Sequence, residues 1–324
     1  MVTSTPLSST CLTPSISQRA IPSIKDYEII KPISKGAFGS VYLAKKRVTG
    51  DYFAIKAIKK ADMVAKNQVM NIKSERMILT QLDSPYVVKL YYSFQSKEHI
   101  YLVMEFLNGG DCAALLKNMG QLDETWAKQY ISEVVLGLEF LHSRDIIHRD
   151  LKPDNLLIDS NGHIKLTDFG LSRVGFLGRR AREKVDEKDS KQFVGTPDYL
   201  APESILGLGQ GASVDWWALG VILYEFLYGI PPFNAKMPSQ VFENILTRRI
   251  VWHEDDIEMS DTVRDLMEKL MCSDIHARLG TEGAAEVRSH KWFDHVDWDN
   301  LRLNKANFVP KISNIEDTDY FDDR

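Results

Sequence analysis

The apolar pattern changes character at Gly109-Gly110, from mainly β-type runs to mainly helical spacing, which points to a fold built from two unlike parts. Before that point the chain is a series of short β-type runs, Tyr27 to Ile33, Val41 to Ala44, Tyr52 to Ile58, Val87 to Phe94 and Ile100 to Glu105, punctuated by Gly, Ser and Lys. One helix interrupts them, over about residues 67–81, with Val69, Ile72, Met77 and Leu79 on its apolar side. After it, Ala127, Tyr130, Ile131, Val134, Val135, Leu138 and Leu141 recur at helical spacing. Further helices are predicted over Ser213 to Leu227, Pro238 to Thr247 and Thr262 to Met271. The fold class is therefore α+β, with a β-rich small lobe joined at about residues 105–110 to a mainly helical large lobe. A hinge between two lobes is a natural place for a ligand cleft.

Composition removes several classes of function. Lys and Arg number 40 against 45 Asp and Glu, a net charge of −5, so the chain lacks the basic field on which nonspecific nucleic-acid binding relies. Cys11, Cys112 and Cys272 match neither a disulfide framework nor a zinc-ligand spacing. No run approaches the roughly 18 apolar residues of a membrane span; the best, Leu219 to Phe233, is broken by Glu225 and Pro231-Pro232. Residues 1–24 hold ten Ser/Thr and three Pro without a basic-then-apolar leader, which predicts a disordered tail and no signal peptide. The expected location is the cytoplasm and nucleus, with neither nucleic acid nor membrane as partner. Thr5-Pro6 and Thr13-Pro14 are candidate sites for upstream proline-directed kinases, although such pairs are common in loose segments.

Chemistry begins at Ser34-Lys35-Gly36-Ala37-Phe38-Gly39-Ser40-Val41, a turn whose bare backbone can fold closely over phosphates. Alone it is equally the turn of an ordinary hairpin. Then Lys56 stands within Ala54-Ile55-Lys56 on an apolar strand, and Glu75 lies in the following helix. A lysine there is costly unless paired, and Glu75 faces the sheet if Ile72 and Leu79 do, so an ion pair that positions an anion is expected.

The densest block is His148-Arg149-Asp150-Leu151-Lys152-Pro153-Asp154-Asn155, followed by Asp168-Phe169-Gly170 and Gly195-Thr196-Pro197-Asp198-Tyr199-Leu200-Ala201-Pro202-Glu203. With the loop, the strand lysine and the helix glutamate, this ordered set resembles the eukaryotic protein kinases over residues 27–324. The resemblance implies a bilobal kinase fold and phosphoryl transfer from ATP with Mg²⁺. It implies that Lys56 holds the α and β phosphates while pairing with Glu75. Asp168 and Asn155 would ligate Mg²⁺, Asp150 would accept the substrate hydroxyl proton, and Lys152 would neutralise the moving phosphoryl group. Lys152, two residues after Asp150, resembles the Ser/Thr kinases, so the implied substrate is a protein serine or threonine. Ser34, Gly36, Phe38 and Gly39 would cover the nucleotide. Ile33, Val41, Ala54 and Leu157 would sandwich the purine, with Met104 at the back wall, backbone hydrogen bonds from Glu105 and Leu107, and Asp111 on the ribose. Leu79, Leu90, Phe169 and His148 would form a second apolar column, which makes His148 a packing residue.

Val214-Asp215-Trp216-Trp217, Asn307-Phe308-Val309-Pro310 and Asp317-Thr318-Asp319-Tyr320-Phe321-Asp322 resemble the AGC group, whose tail wraps the small lobe and nominates Phe321 for the adenine pocket. Ile58-Lys59-Lys60-Ala61-Asp62-Met63, Trp126-Ala127-Lys128-Gln129-Tyr130 and Asp168-Phe169-Gly170-Leu171-Ser172-Arg173 are most similar to the Greatwall-type kinases and their fungal quiescence-signalling relatives. That resemblance implies endosulfine-type phosphatase inhibitors as substrates. Such kinases carry a long insertion between the metal Asp and the Ala-Pro-Glu end, whereas Asp168 to Glu203 spans 36 residues here. Asp154 and Glu225 match positions where AGC kinases face basic residues upstream of the target. Gln192 stands where a phosphothreonine normally engages Arg149, leaving Ser190 or the carboxylates of Glu183, Asp186, Glu187 and Asp189 as substitutes. The expected organisation is a tail over 1–24, a small lobe over 25–107, a large lobe over 108–294 and a C-terminal tail over 295–324. The alternative from another class is a pseudokinase scaffold, which would have lost one of Lys56, Glu75, Asp150, Asn155 or Asp168; all are present.

Overall fold

The computed structural model describes residues 22–36, 39–61, 82–168, 173–174, 197–252 and 259–321. The small lobe contains a five-stranded antiparallel sheet of β1 (Tyr27–Gly36), β2 (Gly39–Lys46), β3 (Tyr52–Lys59), β4 (Leu90–Gln95) and β5 (His99–Glu105), ordered β1-β2-β3-β5-β4. Alternation along β3 divides its side chains between two faces. Phe53 and Ile55 join Tyr27, Ala44, Phe94 and Val103 in one apolar cluster, while Ala54 joins Ile33 and Leu43 in another. Tyr27 and Phe94 stand on opposite edge strands, which a flat sheet would hold roughly 19 Å apart at four strand spacings. Their rings stack at 6.1 Å, so the sheet curls until its edges nearly meet around the first cluster. The expected helix at 67–81, with Glu75 and Leu79, lies outside the described residues, as do Ala37, Phe38, Phe169, Gly170 and the segment 175–196.

The large lobe is helical: α1 (Cys112–Met119), α2 (Glu124–His142), α3 (Pro202–Ile205), α4 (Ser213–Tyr228), α5 (Pro238–Leu246), α6 (Asp261–Leu270) and α7 (Ala284–Arg288). Asp123 caps α2 by accepting a hydrogen bond from the N–H of Trp126, and the seven apolar residues that the spacing selected on this helix are all fully buried. Every residue of α4 except Glu225 is buried, the pattern of a helix enclosed on all sides. Short strands β6 (Ile146–Ile147), β7 (Leu156–Ile158), β8 (Ile164–Leu166) and β9 (Arg173–Val174) frame the loops between α2 and α3. Among the described residues no helix is long and apolar enough to cross a membrane.

Residues 301–321 run along both lobes. Arg302 pairs with Asp159, the N–H of Asn307 donates to Gln129 Oε1 at 2.9 Å, and Phe308 packs edge-on against Trp126. Further on, Tyr52 of β3 donates to Glu316 at 2.6 Å, and the Phe321 ring stacks on Phe106 of the hinge at 6.3 Å. The backbone carbonyl of Tyr320 comes so close to Gly110 that a Cβ there would lie 2.1 Å from it, and Gly110 has φ +77°. Close approach and left-handed backbone together require glycine at this position.

Candidate active site

Lys56 stands on the same face of β3 as Ala54, opposite the Phe53 and Ile55 cluster, and is buried. Its Nζ lies 3.0 Å from Oδ1 of Asp168, and that contact links a small-lobe strand to the segment following β8. Its expected partner Glu75 lies outside the described residues. Asp168 has φ +64° and Arg149 φ +69°, conformations that a non-glycine residue holds only where its surroundings enforce them.

Those surroundings are visible. Asp215, fully buried in the first turn of α4, accepts hydrogen bonds from the backbone N–H groups of His148 at 2.9 Å and Arg149 at 2.8 Å. His142 Nε2 lies 2.8 Å from the same carboxylate. Burial alone would raise the Asp215 carboxyl, but the hydrogen bonds from His142 and from the backbone of Arg149, with the electrostatic influence of His142 and His148, outweigh it and hold the group below its ordinary range. His148 is itself fully buried, and its Nε2 lies 3.0 Å from the carbonyl of Thr167, an acceptor to which the ring must donate. The loop and the residue before Asp168 are thereby fixed to one another.

Within the loop, Asn155 Nδ2 donates to the carbonyl of Asp150 at 2.7 Å and to its Oδ2 at 3.2 Å, and Lys152 Nζ lies 3.3 Å from the same Oδ2. Burial raises the Asp150 carboxyl; Lys152 draws it down and Asp168 pushes it up, and the net direction is upward. Lys56 with Asp168, and Asp150 with Asn155 and Lys152, are thus two groups, and the N–H of Thr167, next to Asp168, joins them by donating to the carbonyl of Asn155 at 3.0 Å. The Asn155 amide nitrogen is committed to Asp150, which leaves Oδ1 as its donor to a cation. Together with the Asp168 carboxylate this makes a hard, oxygen-only pair, which suits Mg²⁺, an ion that takes its remaining positions from water and phosphate.

The expected adenine pocket is assembled in part by register. Ala54 is paired with Met104 and Val41 with Lys56, so these side chains share the face on which Lys56 stands. Ile33, Ala54 and Val41 belong to one apolar cluster that Phe106 also touches. Met104 and Leu107 are buried, and Leu157 of β7 is partly buried and bridges to Asp111. The N–H of Glu105 donates to the carbonyl of Lys89 at 3.0 Å, so its own carbonyl is the backbone group it can turn toward a base. Asp111 is buried and caps α1, with Oδ1 accepting from the N–H of Ala114 at 2.9 Å. In the turn, Ser34 is paired with Val41 and Gly36 with Gly39; Phe38 lies outside the described residues. A Cβ on Gly39 would lie 2.3 Å from the carbonyl of Ala57, so the close approach that demands glycine there is to β3.

A model of the protein kinase domain matches residues 27–293, more than half of the chain. The chain belongs to the protein kinase family. It is 51% identical to the probable serine/threonine protein kinase IREH1 of Arabidopsis thaliana, over 93% of this chain and 25% of that protein. It is 44% identical to the serine/threonine-protein kinase cek1 of Schizosaccharomyces pombe, over 94% of this chain and 30% of that protein. Similarity to the serine/threonine-protein kinase RIM15 of Saccharomyces cerevisiae is 34%, over 93% and 28%. The chain spans under a third of the length of these relatives.

Two further features of the kinase site are not singled out by sequence reasoning. One is Asp215, the hub that holds the backbone at residues 148 and 149. The other is the pair of Glu203 with Arg278, both buried, at 2.6 and 2.9 Å. Arg278 also donates to the carbonyls of Ser213 and Cys272, so the end of the Ala-Pro-Glu segment is tied to α4 with its buried charges satisfied. A carboxylate inside the apolar run of α4 was the available signal for Asp215.

Proposed function

We propose that this chain transfers the γ-phosphate of ATP to serine and threonine hydroxyls of proteins. The observation that carries this reading is the pairing of Lys56 with Asp168 at 3.0 Å and of Asp150 with Asn155 and Lys152 at 2.7 to 3.3 Å, two groups that the N–H of Thr167, next to Asp168, joins by donating to the carbonyl of Asn155. Phosphoryl transfer needs charge neutralisation and in-line positioning more than covalent chemistry, and the joined groups offer both. Lys56 supplies a buried cation for the phosphates. Asp150, an acceptor when ionised, takes the proton of the incoming hydroxyl, and Lys152 beside it offsets charge on the phosphoryl group in flight. Asn155 and Asp168 would hold Mg²⁺, whose chemistry there is to neutralise and orient the phosphates. The test is label transfer from γ-³²P-ATP to protein by the purified chain: incorporation on serine and threonine supports the reading, and its absence overturns it.

At finer grain we assign the chain to the AGC group and, within it, to the Greatwall type, on the motifs from Ser34 to Val41, Ile58 to Met63, Trp126 to Tyr130 and Asn307 to Asp322. The match to cek1 runs over 406 aligned positions while covering 94% of this 324-residue chain, so that relative has insertions this chain lacks. This agrees with a type defined by a long insertion that is short here. Endosulfine-type phosphatase inhibitors are the proposed substrates, in cell-cycle or nutrient signalling in the cytoplasm and nucleus, with upstream kinases acting on the N-terminal tail. Asp154 and Glu225 favour basic residues upstream of the target. A purified endosulfine-type protein tests the assignment: phosphorylation much faster than that of a generic substrate supports it, and equal rates oppose it.

A further inference from the structure

Lys165 carries a charge that phosphoryl transfer does not use, in a place where a charge needs a reason. It stands in β8 with its side chain only 14% exposed, and its Nζ lies 2.8 and 2.7 Å from Oε1 and Oε2 of Glu105. Glu105 is the last residue of β5, and its side chain is 16% exposed. Its Oε1 also accepts the backbone N–H of Lys89 at 2.8 Å, just before β4. One carboxylate therefore joins the sheet of the small lobe to the β7–β8 hairpin of the large lobe.

What the two ends carry gives the pair its meaning. Lys165 is paired across the hairpin with Leu157 and lies three residues before Asp168. On the other side, Glu105 follows Met104 and offers its carbonyl at the hinge. We propose that Lys165 is a positioning residue for the adenine end of ATP: by holding Glu105 it sets the separation between the hinge strand and the Leu157 floor. A flat ring between two apolar walls gains dispersion only near the contact optimum of about 3.5–4.0 Å, and a gap of about 0.5–1 Å forfeits a quarter to a half of it. A tie that fixes the walls from behind acts on binding without touching the ring. The inference rests on the adenine pocket of the proposed function.

Adenosine separates this effect from phosphate binding because it carries no charge for Lys56 or a metal ion to hold. Lys165→Met keeps the stem and removes the charge. It is expected to weaken adenosine binding about fivefold to tenfold and to raise KM for ATP by a similar factor, with kcat nearly unchanged. Lys165→Arg should retain most of the affinity, and the swap Lys165→Glu with Glu105→Lys should recover part of it. A Lys165→Met protein that melts earlier yet binds adenosine as the parent does would overturn the inference and leave the pair a plain structural tie. A parent chain that binds neither adenosine nor ATP would overturn the reading of the cleft, and this inference with it.

Discussion

Asp150 sits where burial and Asp168 raise its proton affinity while Lys152 lowers it, and the net effect is upward. A base works only when ionised, so kcat/KM should fall on the acid side with an inflection above the ordinary Asp value of about 3.9. Asp150→Asn is expected to lower kcat about 10²- to 10⁴-fold with ATP binding nearly unchanged; steady-state kinetics and nucleotide titration check both. Glu225 offers a second titration. Burial lifts it to about 7; the Tyr199 hydroxyl, donating at 2.6 Å, opposes that rise, whereas Asp154 and Asp198 add to it. The carboxylate is therefore ionised above that value and neutral below it. If it faces a basic residue of the substrate, the preference for Arg over Ala upstream of the target should strengthen between about pH 6 and pH 8. Glu225→Gln should flatten that trend, and a ratio constant with pH in the parent would count against the role. Lys56 and Asp215 mark how far such residues can be read from sequence. Both are charges inside apolar runs, which signals that each needs a partner, but two of the partners of Asp215 are backbone N–H groups 66 and 67 residues away. No letter of the sequence encodes a backbone donor.

Local elements were legible for local reasons. The spacing from Ala127 to Leu141 and the capping Asp123 define α2 without help from the rest of the chain. The curl of the small-lobe sheet was not legible, because it depends on Tyr27 meeting Phe94 across five strands. The paired charges of Glu203 and Arg278 were not legible either, since they lie 75 residues apart. Removing one partner of a buried pair leaves a desolvated charge, so Arg278→Ala should cost about 3–5 kcal/mol of stability, seen as a fall in the denaturant midpoint. The strap of residues 301–321 offers a sharper test of an element. Gly110→Ala forces a Cβ against the Tyr320 carbonyl and a non-glycine residue into φ +77°, at a backbone cost of about 1–2 kcal/mol. The expected result is faster proteolysis of the strap together with a severalfold rise in KM for ATP. Unchanged proteolysis and KM would mean that the strap's seat at Gly110 does not matter to the hinge.

Across the molecule, the contacts run in series. α4 holds residues 148 and 149 through Asp215, His148 holds Thr167, and Asp168 reaches Lys56 in the other lobe. Lys165 and Glu105 close the hinge side of the same cleft. The two-lobed division was readable from the change of pattern at Gly109-Gly110, whereas the path of the C-terminal strap was implied by family resemblance, because no periodicity in it points to either lobe. The central claim is that Lys56 with Asp168, joined to Asp150 with Asn155 and Lys152, performs phosphoryl transfer to protein hydroxyls. Its most direct test is phosphoamino-acid analysis of a mixed protein substrate after incubation with the purified chain, γ-³²P-ATP and Mg²⁺, beside Asp150→Asn shown to be equally folded. Label on serine and threonine that falls about 10²-fold or more in the variant is the predicted result; no label from the parent chain, or equal label from both, would contradict the account.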